Sequence, residues 1–545
     1  MDQTIPLHHA DSYPIPDEVA NFALHHYETV LPRKGKPQTD REFSVYACII
    51  AALPLPLDSS HPCMWAVSCA TGSKCCAVSS SDLGRKLHDS HAEVLARRGF
   101  VRQLWLEVQS SLKRISSGTH KDAISQCNTN PQRLLDLCES DEHDNICFQL
   151  RIGLKLMCYI SDSPCGDAAI YQTTSTNLTF TGAKVIVSEK TGVTMEQCID
   201  KDGITCNDVI ASTPSFARLS TSDPSVVVAR ECTQICGALR LKSGRSNIPD
   251  HLRSTSHSCS DKFCRWAVLG LQGSLLNRWI KNPIVFHSVV VSADPRCNNT
   301  DGNPQQLALR RAINERTSAA INFLTYNIKQ KSNIADGIRQ AALRWIDCID
   351  QHQTSVHIVA RQFPQGKAFV ESSSQLSRSA LQQENKDKRE GEREAKRGKF
   401  EKIGFKKFSA AGISLNWQPI YVTLNGGDCI ELTVGASGRK QGKKPKSSQD
   451  FDRCSSRLCR KKILDVATSC SELHPSIDGS DNDTEQSQHN AQSNDSKVEM
   501  TFAQFKKRNT GEHVRLIREL LFSGGPLAGW VTGTSCDFTI CHVAE

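Results

Sequence analysis

The longest apolar run of the chain, VYACIIAALPLPL, is interrupted by Pro54 and Pro56. A helix that crosses a bilayer requires about 18 or more consecutive apolar residues. The run is therefore too short to span, and its β-branched residues are typical of a buried strand. WAVSCAT has the same character, while the preceding PDEVANFALHHYETVL has a helical period. The sequence predicts helices and strands around a core, without a membrane-spanning segment.

The chain contains 24 cysteines, which are disulfide-bonded, metal-binding or simply buried. The N-terminal MDQTIPLHHADSYPIPDE has neither the basic nor the apolar region of a secretory signal. We therefore expect reduced cysteines and a location in the nucleus or cytoplasm. A net charge of +8 favours a polyanionic partner without requiring one.

Changes of composition along the chain predict one domain with several excursions, because compact sequence such as VRLIRELLF returns near the end. We assign residues 17–545 to this domain and 185–235 to a variable insertion. Residues 384–407 form a charged segment with ten basic and six acidic residues, which is most often a solvated helix or loop. Residues 440–498 are predicted to be a low-complexity, largely disordered insertion.

The first chemically informative motif is His91-Ala92-Glu93 in LHDSHAEVLARRGF. A neutral histidine can bind zinc, and a glutamate two residues further on can shuttle protons. Taken alone, the triplet is common, and such a histidine is usually a structural or surface residue. Asp89 or Ser90 can cap a following helix, which would hold His91 and Glu93 rigidly at its N-terminus.

The second motif, SPCGD, contains Cys165 and follows the apolar segment IGLKLMCYI. A strand, a turn and a helix start would place the Cys165 thiolate at a helix N-terminus, where its pKa falls and metal binding is favoured. The zinc-deaminase signature combines H-x-E with P-C-x-x-C. Position 168 is alanine, so a third metal ligand must come from another part of the chain, and spacing alone does not select it.

A third motif, SCSDKFCRWAVLGLQGSLL, begins near Cys259. HAE with a following Arg-Arg, SPCGDA and SCSDK, in this order, resemble the RNA adenosine deaminases. This family comprises editing enzymes of double-stranded RNA and tRNA deaminases that form inosine at position 37, next to the anticodon. HHYETVLPRKGKP and TGAK are similar to the tRNA branch, and ISLNW, SSRLC and LAGW match the C-terminal half. The resemblance covers the chain except the low-complexity stretches and much of residues 185–235.

The resemblance implies a cytidine-deaminase-like α/β fold, a three-layer sandwich with a mixed central sheet. It also implies one catalytic Zn²⁺ held by His91, Cys165 and Cys259, with Glu93 as the general acid and base. Three protein ligands leave a fourth zinc position open for water and lower the pKa of that water. The alternative for both cysteines is that they are ordinary buried thiols.

A buried polyanion is the second cofactor that the resemblance implies, namely a structural inositol hexakisphosphate. Arg98 lies seven residues after His91, so both occupy one face of a helix. Several buried cations that converge require a counter-charge, although a single arginine or lysine is usually part of a surface ion pair. The implied contacts are Arg97, Arg98, Lys262, Arg265, Trp266, Gln272, Arg439 and Trp530, with Lys506 or Lys507 in addition.

Further positions match residues around the expected centre. Asp89 and Lys242 match residues that link the zinc ligands to the phosphate shell and orient those ligands. Ser73, Lys74 and Arg245 match RNA-contacting positions.

The predicted function is deamination of adenosine 37 in tRNA, with alanine tRNA as the substrate that the resemblance implies. HHYETVL begins so near the N-terminus that we expect no preceding double-stranded-RNA-binding module, and a poorly stacked anticodon-loop base suits such an enzyme. The alternatives are editing of other structured RNA and a catalytically inactive RNA-binding scaffold, against which the intact motifs argue. We expect no obligate protein partner.

Overall fold

The structure is a computed structural model. It describes residues 13–38, 41–54, 63–77, 80–117, 130–138, 146–173, 178–179, 181–193, 216–218, 227–229, 235–244, 248–297, 302–370, 372–373, 408–419, 428–443, 445, 450–473, 500–531 and 539–540.

Short and long strands alternate with helices along the described chain. The strands are β1 (Glu42–Phe43), β2 (Tyr46–Leu53), β3 (Cys63–Thr71), β4 (Leu135–Cys138), β5 (Cys147–Leu150), β6 (Lys155–Ile160), β7 (Lys184–Val187), β8 (Phe216–Arg218), β9 (Val227–Ala229), β10 (Arg240–Leu241), β11 (Ser288–Ser292), β12 (Ser355–Val359), β13 (Ser409–Ala410), β14 (Ile413–Trp417), β15 (Ile430–Val434), β16 (Arg439–Lys440), β17 (Met500–Thr501) and β18 (Thr539–Ile540).

Among the described residues, no helix is both long and apolar enough to cross a bilayer. The α-helices are α1 (Pro16–Thr29), α2 (Ala92–Ser117), α3 (Cys259–Leu269), α4 (Pro304–Arg310), α5 (Arg316–Gln330), α6 (Asp336–Gln351), α7 (Phe451–Cys454), α8 (Arg460–Leu473), α9 (Phe502–Arg508) and α10 (Glu512–Ser523).

The centre of the molecule is an eight-stranded sheet with the strand order β12-β11-β6-β2-β3-β14-β15-β16. Strands β6, β11 and β12 are parallel, whereas β2 pairs antiparallel with both β3 and β6. The sheet is therefore mixed, and the apolar run that opens the sequence analysis forms β2 at its middle.

Strand β2 shows how the sequence produces two cores. Its side chains alternate between the faces of the sheet, so Ile49 packs into one apolar cluster and Ile50 into another. Helix α2 covers the first face through Leu95 and Phe100, and α1 covers the second through Leu24. The structure thus confirms the three-layer α/β sandwich with a mixed sheet.

The long helical segment after Pro304 contains an irregularity. The pattern LALRRAINER predicts a helix, and the structure has α4, five residues of π-helix (Arg311–Glu315) and then α5. Helices α3, α5, α6 and α10 contribute to a further apolar cluster, and Ile346 and Leu521 are buried in it.

The structure differs from the predicted disorder in the first part of the 440–498 insertion. Within residues 440–498, helix α8 buries Leu464 and Cys470 and packs against α2. Its apolar residues recur at helical spacing, but the surrounding lysines and serines conceal this period. Residues 474–498 of this insertion and the charged segment 384–407 lie outside the described residues. Within the predicted insertion 185–235, β8 and β9 join β7 and β10 in a four-stranded sheet.

Gly72, at the end of β3, joins the sheet to the segment that precedes α2. Its φ is +145°, and a Cβ atom there would lie 2.0 Å from the carbonyl oxygen of Ser90. Because Ala has to displace this backbone, we expect Gly72→Ala to lower the free energy of unfolding by about 2 kcal/mol or more. Gly412→Ala is the control, since a Cβ there meets nothing within 4 Å. Equal urea midpoints for both variants would contradict this reading.

Candidate active site

The histidine and the two cysteines of the three motifs lie at the ends of secondary-structure elements. His91 directly precedes α2, and its carbonyl accepts hydrogen bonds from the backbone N–H groups of Val94 (3.1 Å) and Leu95 (2.9 Å). Cys165 follows β6 and precedes a single 3₁₀ turn, Asp167–Ala169, rather than the longer helix expected there. Cys259 is the first residue of α3. The sheet and its helices therefore hold all three residues on rigid elements.

These residues border a cleft of about 360 Å³, which His91, Glu93, Cys165 and Lys242 line. Cys259 is fully buried beside the cleft, and its backbone N–H donates a hydrogen bond to Cys165 Sγ at 3.4 Å. The sequence analysis did not identify other lining residues, among them Phe43, Val45, Cys75, Tyr171, Thr181, Arg296, Lys367, Ala368 and Ala410.

The two thiols and Lys242 form one electrostatic unit. Lys242 Nζ donates a hydrogen bond to Cys259 Sγ at 2.8 Å. The pKa of Cys165 lies well below its ordinary value, because the Cys259 thiol donates a hydrogen bond to it and because Lys242 and His91 are close, although burial opposes this shift. Cys165 is therefore favoured as a thiolate, the form that binds metals.

Asp89 lies at the centre of a buried charge network. Its Oδ2 accepts hydrogen bonds from Lys242 Nζ (2.8 Å), Ser256 Oγ (2.7 Å) and Lys262 Nζ. Its Oδ1 lies 2.8 Å from His91 Nδ1 and accepts a bond from the His91 N–H at 3.0 Å. Burial alone would raise the pKa of Asp89, but Lys242, Lys262 and His91 hold it well below the ordinary value. Asp89 is thus an anion that orients the His91 ring.

Two sets of residues could hold a metal ion here. In the described residues, Cys75, Asp89 and His91 have ligand atoms within 4.8 Å of one another, and Cys75 Sγ lies 3.5 Å from His91 Nδ1. Both Asp89 oxygens already accept hydrogen bonds, two of them from the lysines Lys242 and Lys262, which makes Asp89 a poor ligand. With Nδ1 facing Asp89, His91 keeps Nε2 for a metal, and one histidine with two cysteines is a donor set that zinc prefers. The donor chemistry of His91, Cys165 and Cys259 therefore fits a zinc ion.

Glu93 occupies the first turn of α2, where only 3% of its surface is exposed. Its Oε2 is buried and has no hydrogen-bond partner among the described residues. An unpaired buried carboxylate oxygen is costly and marks a place where a bound group completes the structure. The oxygen belongs to a residue that lines the cleft, so a ligand there can reach it.

Behind α2 lies a cluster of arginines. Burial, together with Arg265 and Arg98, lowers the pKa of Arg97 to about 9. Burial and the cations of Arg518 and Arg460 likewise lower the pKa of Arg265 to about 9. Arg97 Nε is buried without a hydrogen-bond partner in the described structure. Mutual repulsion of buried cations favours a bound anion among them.

The aromatic residues expected near this cluster lie beside it. The Arg97 guanidinium is 5.1 Å from the Trp266 ring, and that of Arg265 is 5.0 Å from the Trp530 ring. Arg98 Nε donates to the carbonyl of Leu458 at 2.6 Å.

Other residues predicted for the polyanion have different partners. Gln272 Nε2 donates to the Asn282 carbonyl at 3.3 Å, and its Oε1 accepts from the Ile284 N–H at 3.0 Å. Arg439 Nη2 lies 3.5 Å from Asp82 Oδ1, while its buried Nη1 has no partner among the described residues. Lys506 is half-buried in α9. Gln272 is thus held by backbone groups.

The structure describes two of the three residues that were predicted to contact RNA. Ser73 lines the cleft, and a Cβ on Gly435 would lie 2.9 Å from Lys74 Cβ. Arg245 lies outside the described residues. Cys75 was missed although it belongs to the same TGSKC segment, and Ser256 carries no motif that could have identified it.

The fold and the histidine-cysteine-glutamate arrangement define a protein of the cytidine-deaminase-like class. A model of the adenosine-deaminase (editase) domain family matches residues 68–342, about half of the chain. The chain belongs to this family.

Relatives include tRNA-specific adenosine deaminase 1 of Drosophila melanogaster, which is 30% identical over 306 residues, 56% of this chain and 59% of that protein. Its counterpart from Mus musculus is 26% identical over 371 residues, 55% of this chain and 68% of the mouse protein. The double-stranded RNA-specific adenosine deaminase of Mus musculus is 27% identical over 244 residues, 41% of this chain but 16% of that protein.

Replacement of Asp89 tests the buried charge network. Asp89→Asn keeps the shape but leaves Lys242 and Lys262 without their anion, so we expect the free energy of unfolding to fall by about 3 kcal/mol or more. Asp465→Asn is the control, because Asp465 is 39% exposed and pairs with Lys461 at the surface, where an ion pair contributes about 1 kcal/mol or less. If urea unfolding gave equal losses of unfolding free energy for the two variants, Asp89 would not be the residue that holds the buried charge network together.

Proposed function

We propose that the protein catalyses the hydrolytic deamination of adenosine to inosine in tRNA, with adenosine 37 of alanine tRNA as the target. The observation that carries this proposal is the buried Glu93 carboxylate, which lies beside His91 and Cys165 in one cleft and whose Oε2 has no partner in the part of the chain that the structure describes. Family membership and the relatives named as tRNA-specific adenosine deaminases support the same reaction.

The residues that would hold a catalytic zinc ion are His91, Cys165 and Cys259. When bound by three such ligands, zinc keeps one position for water and lowers the pKa of that water toward neutrality. Asp89 fixes the imidazole ring through Nδ1, and Lys242 Nζ donates a hydrogen bond to Cys259 Sγ at 2.8 Å, which opposes the rise that burial and Cys165 cause in the pKa of Cys259. These contacts orient the ligands and set their protonation states.

Glu93 is the residue that moves protons. Its Oε2 accepts a proton from the attacking water and delivers it to N1 of the adenine ring, then carries a second proton to the departing amino group. Water adds at C6 and ammonia leaves, so the product is inosine. Because Glu93 lies in the first turn of α2 and is almost fully buried, its carboxylate is held in place for both transfers.

The cleft suits one nucleotide that has left its stack. Its volume of about 360 Å³ is in the range of small-ligand sites, and a base must be turned out of the stack to reach the reacting atoms. An anticodon-loop base is already poorly stacked, which favours tRNA. Deamination in other structured RNA is the alternative that the match to the double-stranded RNA-specific relative favours. A catalytically inactive RNA-binding scaffold is disfavoured by the intact Glu93.

Inositol hexakisphosphate is the second cofactor in this proposal. The buried arginines Arg97, Arg98 and Arg265 have lowered pKa values because they are buried and repel one another or further arginines. A polyanion with several phosphates would relieve that repulsion and accept the hydrogen bond that Arg97 Nε lacks. Lys262 reaches Asp89 from α3, which would join the phosphate shell to the metal ligands.

We include a reducing compartment, the nucleus or cytoplasm, in this proposal. In the described part of the chain no cysteine forms a disulfide bond, as is usual where cellular reductants act.

Replacement of Glu93 tests the proton transfer. Glu93→Gln removes the base but keeps the shape, so we expect inosine formation in alanine tRNA to fall by about 10² to 10⁴-fold, while zinc content is unchanged. Glu107→Gln is the matched control, because Glu107 lies on the same helix and accepts hydrogen bonds from the Leu134 and Leu135 N–H groups, away from the cleft. Mass spectrometry of digested tRNA measures inosine, and a wild-type rate for Glu93→Gln would refute the assignment.

Denaturation tests the buried polyanion. The purified wild-type protein should release one inositol hexakisphosphate per chain on unfolding, because the buried arginines would otherwise lack a counter-charge. Arg265→Ala should reduce the amount released, whereas Arg515→Ala, a surface residue that pairs with Glu512, should not. Phosphorus analysis of the released material that finds no inositol phosphate in the wild-type sample would exclude this cofactor.

A further inference from the structure

Among the described residues, a basic turn between α1 and β1 is a charged feature that the proposed chemistry does not use. The turn contains Arg33 and Lys34 in the segment LPRKGKP, and both side chains are exposed. Neither side chain has a hydrogen-bond or ion-pair partner among the described residues. Two adjacent cations without an internal role are available to an external anion.

The backbone of this turn is fixed on both sides. Gly35 has a φ of +96°, and a Cβ there would lie 2.4 Å from Leu432 Cδ2 in β15, so the turn packs tightly on the sheet. The Lys36 N–H donates to the Arg33 carbonyl at 3.2 Å, and Lys36 Nζ lies 4.4 Å from the Tyr27 ring centroid. Pro37 is buried. Arg33 and Lys34 are therefore presented by a rigid backbone.

The turn adjoins one wall of the cleft. Gln365 connects the two, because its Nε2 donates to the Pro37 carbonyl at 3.4 Å and its carbonyl accepts from the Ser44 N–H at 3.0 Å. Phe43 and Val45, the two neighbours of Ser44 in the chain, and Lys367, two residues after Gln365, line the cleft. A chain that places one nucleotide in the cleft and leaves it across this wall brings a neighbouring phosphate toward the turn.

We infer that Arg33 and Lys34 form a phosphate-binding surface for the RNA backbone that flanks the target nucleotide. This inference rests on the proposed function, since an RNA substrate supplies the phosphates. The two cations contact no base, so they contribute affinity and positioning rather than sequence preference. Their contribution is electrostatic and falls as salt concentration rises.

The test is the double variant Arg33→Ala/Lys34→Ala, with Lys329→Ala/Lys331→Ala as the matched control. Lys329 and Lys331 are also exposed, at the end of α5, which contributes no residue to the cleft lining. Dissociation constants for alanine tRNA are measured at several salt concentrations, with thermal unfolding to verify that each variant is folded.

For the Arg33/Lys34 variant we expect weaker tRNA binding at low salt and a slope of log K against log salt that is smaller by about 1.5, since each lost phosphate contact removes about 0.7 to 0.9. Its kcat at saturating tRNA should equal that of the wild type, and the control should match the wild type in all respects. An unchanged affinity and salt slope in the folded double variant overturns the inference, as does a wild-type protein that does not bind tRNA.

A different result would refute the proposed function while leaving the phosphate-binding surface intact. A wild-type protein that binds tRNA with the predicted slope change between variants, but forms no inosine, leaves the phosphate-binding surface in place and removes the deaminase activity.

Discussion

The Asp89 carboxylate is the contact on which the site depends. It accepts hydrogen bonds from Lys242, Lys262, Ser256 and the His91 backbone, and it faces the His91 ring. These groups come from the start of α2, the segment after β10, the loop before α3 and α3 itself. A buried anion between two lysines is stable only while all partners are present. One side chain therefore ties the start of α2, next to His91, to α3, which begins at Cys259.

The mixed sheet makes this convergence possible. The strand β6 ends shortly before Cys165, and β2 and β3 beside it support α2, whose first turn carries Glu93. Gly166 is packed against Ser258 so closely that a Cβ would lie 2.4 Å from its Oγ, and the Ser260 N–H donates to the Cys165 carbonyl at 3.0 Å. The two cysteine-bearing turns thus touch directly, which explains how Cys165 and Cys259, remote in sequence, lie side by side.

Sequence patterns predicted the parts of the structure that depend on local periodicity or on motifs. The apolar run that forms β2 and the helix α1 were predicted correctly, and the order of the three motifs identified the family. Contacts made by single residues were not predictable. Examples are the hydrogen bond from Ser256 to Asp89, the position of Cys75 beside His91 and the backbone hydrogen bonds of Gln272. They depend on tertiary packing, which the spacing of residues along the sequence does not reveal. The helix α8 was missed because its apolar residues, although they recur at helical spacing, are separated by many lysine and other polar residues.

The central claim is that His91, Cys165 and Cys259, rather than Cys75 with Asp89 and His91, form the metal centre. Zinc per chain, measured by elemental analysis in Cys259→Ala and Cys75→Ala, tests this choice most directly, because the two cysteines belong to different donor sets. The account predicts that Cys259→Ala loses its zinc while Cys75→Ala retains the wild-type amount. Zinc loss in Cys75→Ala with full retention in Cys259→Ala would contradict it.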